Sequence, residues 1–189
     1  ARPKLPAAPY ESLSAPLPRH GSLTALHLHG QIHFLDHRPN APEKIGLYLQ
    51  HLIYNTVRPA GSGDLSSRWV LPDEILTLPP VPAGQAAEIL NGWLAYYLVG
   101  QTRPLPFFPK TSLAAAQTLL SESKKSEDEK LQAARKAAAT HYFGGKMNVG
   151  QADYAEVALV FGKDETPPIT VHINVLLSPI HISEPPRPQ

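Results

Sequence analysis

Asp36-His37-Arg38 is the chain's strongest candidate for chemistry, because it ends an apolar, alternating stretch and immediately precedes a helical pattern. Metal-dependent nucleases place Asp/Glu-x-Lys at such a strand end. There the carboxylate holds magnesium, and the lysine steadies the attacking water or the scissile phosphate. Position 38 is Arg, which keeps the charge but stays protonated and is a poorer proton-transfer group. The only carboxylate before Asp36 is Glu11, in a proline-rich stretch, so a two-carboxylate magnesium site cannot be assembled in that layout. The expectation is a strand end without catalytic residues. A working metal site at Asp36 is the alternative.

Three further groups need weighing. His27, His29 and His33 share a face if one strand runs through them, and three imidazoles can bind zinc. However, same-face neighbours on a strand lie ~7 Å apart and no carboxylate is spaced to join them, so a polar strand surface without metal is expected. No Gly-x-x-x-x-Gly-Lys-Ser/Thr occurs, so nothing cradles a nucleotide phosphate. Gly144-Gly145-Lys146 reads as a helix stop, and no nucleophile elbow is present. No cofactor is expected. Tyr48, Tyr54, Trp93, Tyr96, Tyr97, Phe107 and Phe108 could stack nucleobases. Helical spacing and proline-rich flanks instead predict core positions for Trp93, Tyr97 and both phenylalanines. Arg38, Arg103 and Lys110 are the candidate phosphate contacts, with Arg103 and Lys110 equally readable as solvated charges.

These residues need elements to hold them. Ala1–Gly21 is proline-rich and aperiodic, predicting a loop or linker. Leu23–Arg38 alternates and predicts two strands turning near Gly30, with Leu26, Leu28, Ile32 and Phe34 on one face and His27, His29, Gln31 and His33 on the other. Pro42–Thr56 predicts a helix with Ile45, Leu49, Leu52 and Ile53 in its apolar stripe. A hairpin follows: Arg68-Trp-Val-Leu, a turn at Pro72-Asp73, then Ile75-Leu-Thr-Leu. Ala83–Gly100 predicts a second helix with Ile89, Leu90, Trp93, Leu94, Tyr97 and Leu98 on its apolar face. Pro104, Pro106 and Pro109 then forbid helix or central strand. Leu105, Phe107 and Phe108 require that linker to lie extended in a groove, and Thr111 or Ser112 caps a helix at about Ser112–Ser121. Ser121–Lys130 reads as a charged connection, Leu131–Tyr142 as an alanine-rich helix, and Tyr154–Phe161 as either strand or helix.

At 189 residues and 42% hydrophobic, the chain is one domain or the large part of one. Its 17 Lys+Arg against 16 Asp+Glu argue against a domain that binds nucleic acid strongly by itself. Zero cysteines exclude disulfides and thiolate metal sites and fit a reducing cytoplasm. No apolar run approaches the ~20 residues of a membrane span. The opening reads like the middle of a longer protein.

Four ordered pieces carry a resemblance: Arg38-Pro39 with Leu49-Gln-His-Leu52; the helix ending Tyr97-Leu-Val-Gly100; Pro104-Leu-Pro-Phe-Phe-Pro-Lys110 with its helix; and Leu131-Gln-Ala-Ala-Arg135 with Tyr142-Phe-Gly-Gly-Lys-Met-Asn-Val149 and Tyr154. From about Leu26 to Phe161 the chain resembles the C-terminal region of the RecC family, the gamma subunit of the bacterial RecBCD helicase–nuclease (exodeoxyribonuclease V). The resemblance implies an α/β, PD-(D/E)XK nuclease-like domain: a small mixed sheet packed by helices, its catalytic residues lost. It implies RecB-like and RecD-like partners, DNA handled through the assembled complex, no membrane, and a role in double-strand-break repair. In the family the whole subunit scaffolds the motors, helps split the duplex and recognises Chi, but no Chi-reading residue carries over to this chain. A protein-interaction domain without DNA contact is the third reading. The expected organisation is a proline-rich linker or the end of a preceding domain over 1–21, the nuclease-like domain over 22–166, and an aberrant, non-native tail over 167–189. That tail's Leu177-Ser-Pro-Ile-His-Ile-Ser-Glu-Pro-Pro-Arg187 resembles a translated sequencing adapter, as in a gene fragment truncated at both ends, with a divergent but genuine tail as the alternative.

Overall fold

The structure is a computed structural model that describes residues 8–12, 19–57, 63–121, 126–145 and 148–162. The tail expected over 167–189 lies outside the described residues. The described chain is mixed α/β, with a small sheet and five α-helices. It divides into two compact units between Ala95 and Tyr96.

In the first unit, β1 (Ala8–Ser12) and β2 (Arg19–Leu23) form an antiparallel hairpin, where the proline-rich composition predicts loop. Prolines are tolerated in an edge ladder, and a two-stranded ribbon has only edges. A separate four-stranded sheet has the order β3 (Leu26–His27), β4 (Gly30–Phe34), β5 (Ser67–Val70), β6 (Ile75–Leu78). Two of its hairpins fall where the sequence puts them. Gly30 has φ +105°, and an added Cβ would stand 2.6 Å from the Ser66 carbonyl, so both conformation and space demand glycine there.

α1 (Ala41–Val57) crosses from β4 to β5, which run parallel with Gln31 beside Ser67 and Phe34 beside Val70. Asn40 starts the helix: its side-chain oxygen accepts from the Glu43 N–H at 3.1 Å, and its own N–H donates to Glu43 at 2.8 Å. That reciprocal cap fixes the turn between β4 and α1. Tyr48 and Leu52 of α1 pack with Trp69, Leu78, Val81, and Ala86, Ile89 and Leu90 of α2 (Ala83–Gly100) to make the core. Ile45, Leu49 and Ile53, expected on the apolar stripe, are half-buried. The stripe is rotated so that Tyr48, His51, Leu52, Tyr54 and Asn55 face inward.

The side-chain assignment along β4 is reversed relative to the sequence reading. Gln31 is fully buried, while Phe34 is 72% exposed and Leu28 60%. Alternation alone fixes which residues share a face, not which face is covered. Here the polar face is covered, because its glutamine finds partners beneath the sheet.

α2 runs out of the first unit and ends in the second. There α3 (Pro109–Ser121) and α4 (Glu127–Phe143) pack through Ala115, Ala134 and Ala138, small residues that allow close approach. α4 begins before the predicted Leu131, because Ser126 and Glu129 form a capping box: the Glu129 N–H donates to Ser126 Oγ at 3.3 Å, and the Ser126 N–H donates to Glu129 at 2.9 Å. Gly144 ends α4 as expected, and the short pair β7 (Gly144–Gly145) and β8 (Asn148–Val149) follows. A Cβ on Gly150 would run into the backbone of Tyr142 and Phe143. Tyr154–Phe161 resolves as helix, α5 (Ala155–Phe161).

Candidate functional site

The turn from β4 to α1 places Asp36, His37 and Arg38 on the surface. Asp36 is 96% exposed at its side chain, and its carboxylate lies 2.6 Å from Nδ1 of His37. Nε2 of His37 reaches Glu43 at 3.2 Å. The imidazole therefore sits between two carboxylates. The hydrogen bond to Asp36, followed by that to Glu43, raises its pKa above the ordinary histidine value. Reciprocally, the bond from His37 holds the Asp36 carboxyl below its usual range. Glu43 is held low first by the Asn40 backbone N–H, then by His37.

Arg38 turns toward the β5–β6 turn. Its guanidinium donates to Asp73 at 2.7 Å and lies 3.3 Å from Glu74. Asp73 is held below its usual range mainly by that bond. Among the described residues, no three His, Cys, Asp or Glu side chains come together as a metal-holding group. The corner is a chain of ion pairs around a helix start.

The three histidines do not share a face, because the chain reverses at Leu28-His29. His27 stands edge-on to Phe34, with ring centroids 6.4 Å apart. With His29 it lines a groove of about 660 Å³ over Ile32, Phe34, Val70 and Ile75, walled by Asp64 and Arg68. His33 alternates to the covered side, where burial lowers its pKa. The Arg68 charge in that groove is already engaged, by Asp64 at 2.8 Å and the His29 carbonyl at 2.6 Å.

Beneath the sheet lies a polar cluster with no local sequence signal. Ser67 Oγ is 2.7 Å from His51 Nδ1 and 3.0 Å from Gln31 Oε1. Asn55 donates to the carbonyls of His51 at 2.9 Å and Leu65 at 3.1 Å, and accepts from the Val81 N–H at 2.8 Å. Gln31, Ser67 and Asn55 are 0% exposed and His51 1%. A Ser–His pair at this distance has the spacing of an activated nucleophile, but its burial denies it a substrate. It works as a clasp joining β4, α1, β5 and the segment entering α2. Burial drives the His51 pKa down to about 4, partly offset by the Pro79 carbonyl.

In the second unit, the aromatic linker anchors as expected at Phe108, which is 4% exposed. Its ring meets Tyr142 at 5.0 Å and Phe161 at 5.4 Å. Phe107 is half-buried against Tyr96 at 5.9 Å. The linker is not uniformly extended: the Phe107 N–H donates back to the Leu105 carbonyl at 2.7 Å, a tight turn about Pro106. α3 begins at Pro109, before the expected cap at Thr111 or Ser112, since proline suits a first helical position. Phe108 has no capping oxygen, and the Gln151 side chain supplies one, accepting from the Thr111 N–H at 3.0 Å and hydroxyl at 2.8 Å. Tyr97, expected in the core, is 61% exposed, and Leu98 is 43% exposed. Arg103 and Lys110 are exposed in this unit, and Arg38 is exposed in the first.

A family model described as the RecC C-terminal domain matches residues 1–120. The chain belongs to the RecC C-terminal domain family. The matched stretch contains the Asp36–Arg38 corner, the clasp and the proline-rich linker of this RecC-type chain, and ends within α3. The fourth piece of the resemblance, from Leu131 onward, lies beyond it. Family membership sets the chain in the context of RecBCD, DNA repair and recombination. No curated protein matches the chain. Among the described residues, no helix is long and apolar enough to cross a membrane.

Proposed function

We propose that this chain is a non-catalytic, nuclease-like domain of a RecC-type subunit. It scaffolds RecB-like and RecD-like partners in the cytoplasm, and handles DNA strands during end resection and recombinational repair. Alongside the family match, one observation carries the reading. The strand-end carboxylate that a nuclease would turn onto a metal is here turned to solvent and committed to His37, and the neighbouring Arg38 is committed to Asp73 and Glu74. The test is incubation of the pure chain with single-stranded and duplex DNA plus magnesium or manganese. No cleavage is expected. Cleavage that vanishes in Asp36→Ala would overturn the reading in favour of an active nuclease.

For DNA contact, the linker is the better placed of the two basic regions. Residues 89–121 hold Arg103 and Lys110 and not one Asp or Glu. Arg38 instead shares its corner with Asp36, Glu43, Asp73 and Glu74. Two cations release few counterions, so the chain alone should bind DNA no better than a nonspecific Kd of ~10⁻⁴–10⁻⁶ M. Crosslinking to forked DNA with partner subunits present separates this reading from a protein-interaction domain that never meets DNA.

A further inference from the structure

We draw no further inference here: the strongest candidate, the open apolar face of the four-stranded sheet around Ile32, Phe34, Val70 and Ile75, has nothing in the structure to show what covers it.

Discussion

Asn55→Ala should unfold the first unit far more readily than its one lost side chain suggests. Asn55 is 0% exposed and contributes no apolar packing. What it does is satisfy the Val81 N–H and the Leu65 carbonyl, which belong to segments that no ladder joins at those atoms. The His51 carbonyl, its third partner, loses less, because it also faces the helix's own N–H. Orphaning a buried polar group costs about 1–3 kcal/mol. Val81 is 8% exposed and should pay near the top of that range, and half-buried Leu65 near the bottom, for about 2–4 kcal/mol in all. That is a large part of an ordinary domain's 5–15 kcal/mol. Both tryptophans of the chain, Trp69 and Trp93, lie in this unit, so tryptophan fluorescence during urea unfolding reads it directly. Asn55→Asp is the discriminating companion. It keeps an acceptor for Val81 but points carboxylate oxygen at two carbonyls, which raises its pKa in the fold. Its deficit should therefore shrink as the pH falls and the carboxyl gains a proton to donate. A loss below about 1 kcal/mol for Asn55→Ala, or an Asn55→Asp deficit that does not change with pH, would show that water replaces these bonds and that the clasp does not hold the unit together.

Other outcomes follow from the same contacts. The folded pKa of His51, about 4, lies below its ordinary 6.5, so proton uptake favours the unfolded chain. Stability should be complete above pH 6.5 and fall as pH drops toward 4, by about 3 kcal/mol at 1.36 kcal/mol per pH unit. His51→Gln should flatten that slope in fluorescence-monitored unfolding, and an unchanged slope would assign it to buried His33 or the carboxylates instead. Phe108→Ala should cost ~3–5 kcal/mol, read by circular dichroism melting, with half-buried Phe107→Ala costing less. An unshifted melt with lost DNA binding would make Phe108 a base-stacking platform. Arg103→Ala and Lys110→Ala should each weaken DNA binding and lower the salt slope by about one, while Arg38→Ala leaves it nearly unchanged. The reverse ranking would move the contact to the first unit.

What the sequence made legible was what depends on neighbours in the chain. The hairpin of β5 and β6, helix α2 to its last residue, the stop at Gly144 and the burial of Phe108 all follow from local pattern, proline chemistry or glycine. The Ser126–Glu129 capping box was equally local but hidden in a run of charge that reads as a solvated connection. The exposed face of β4 was not legible, because an alternating strand looks the same from either side. Gln31 is drawn inward by Ser67, 36 residues later, and no window of sequence contains both. Gln151 is the same case: it caps a helix that starts some forty residues before it.

The candidate site shows why such distances matter for function more than for fold. Asp36-x-Arg38 approximates the Asp/Glu-x-Lys of a metal-binding strand end, and it lies in the turn between β4 and α1. Function depends on where the carboxylate's nearest charges come from. Glu43 is fixed by capping α1 through Asn40. A fixed Glu43 holds His37, and His37 in turn occupies Asp36. Across the sheet, the β5–β6 turn delivers Asp73 and Glu74 to Arg38, the side chain that in a nuclease would serve the phosphate. Asp36 and Arg38 are thus each neutralised by a group close in the fold. Removing His37 would therefore free Asp36 and Glu43 at the surface while leaving Arg38 held by Asp73 and Glu74.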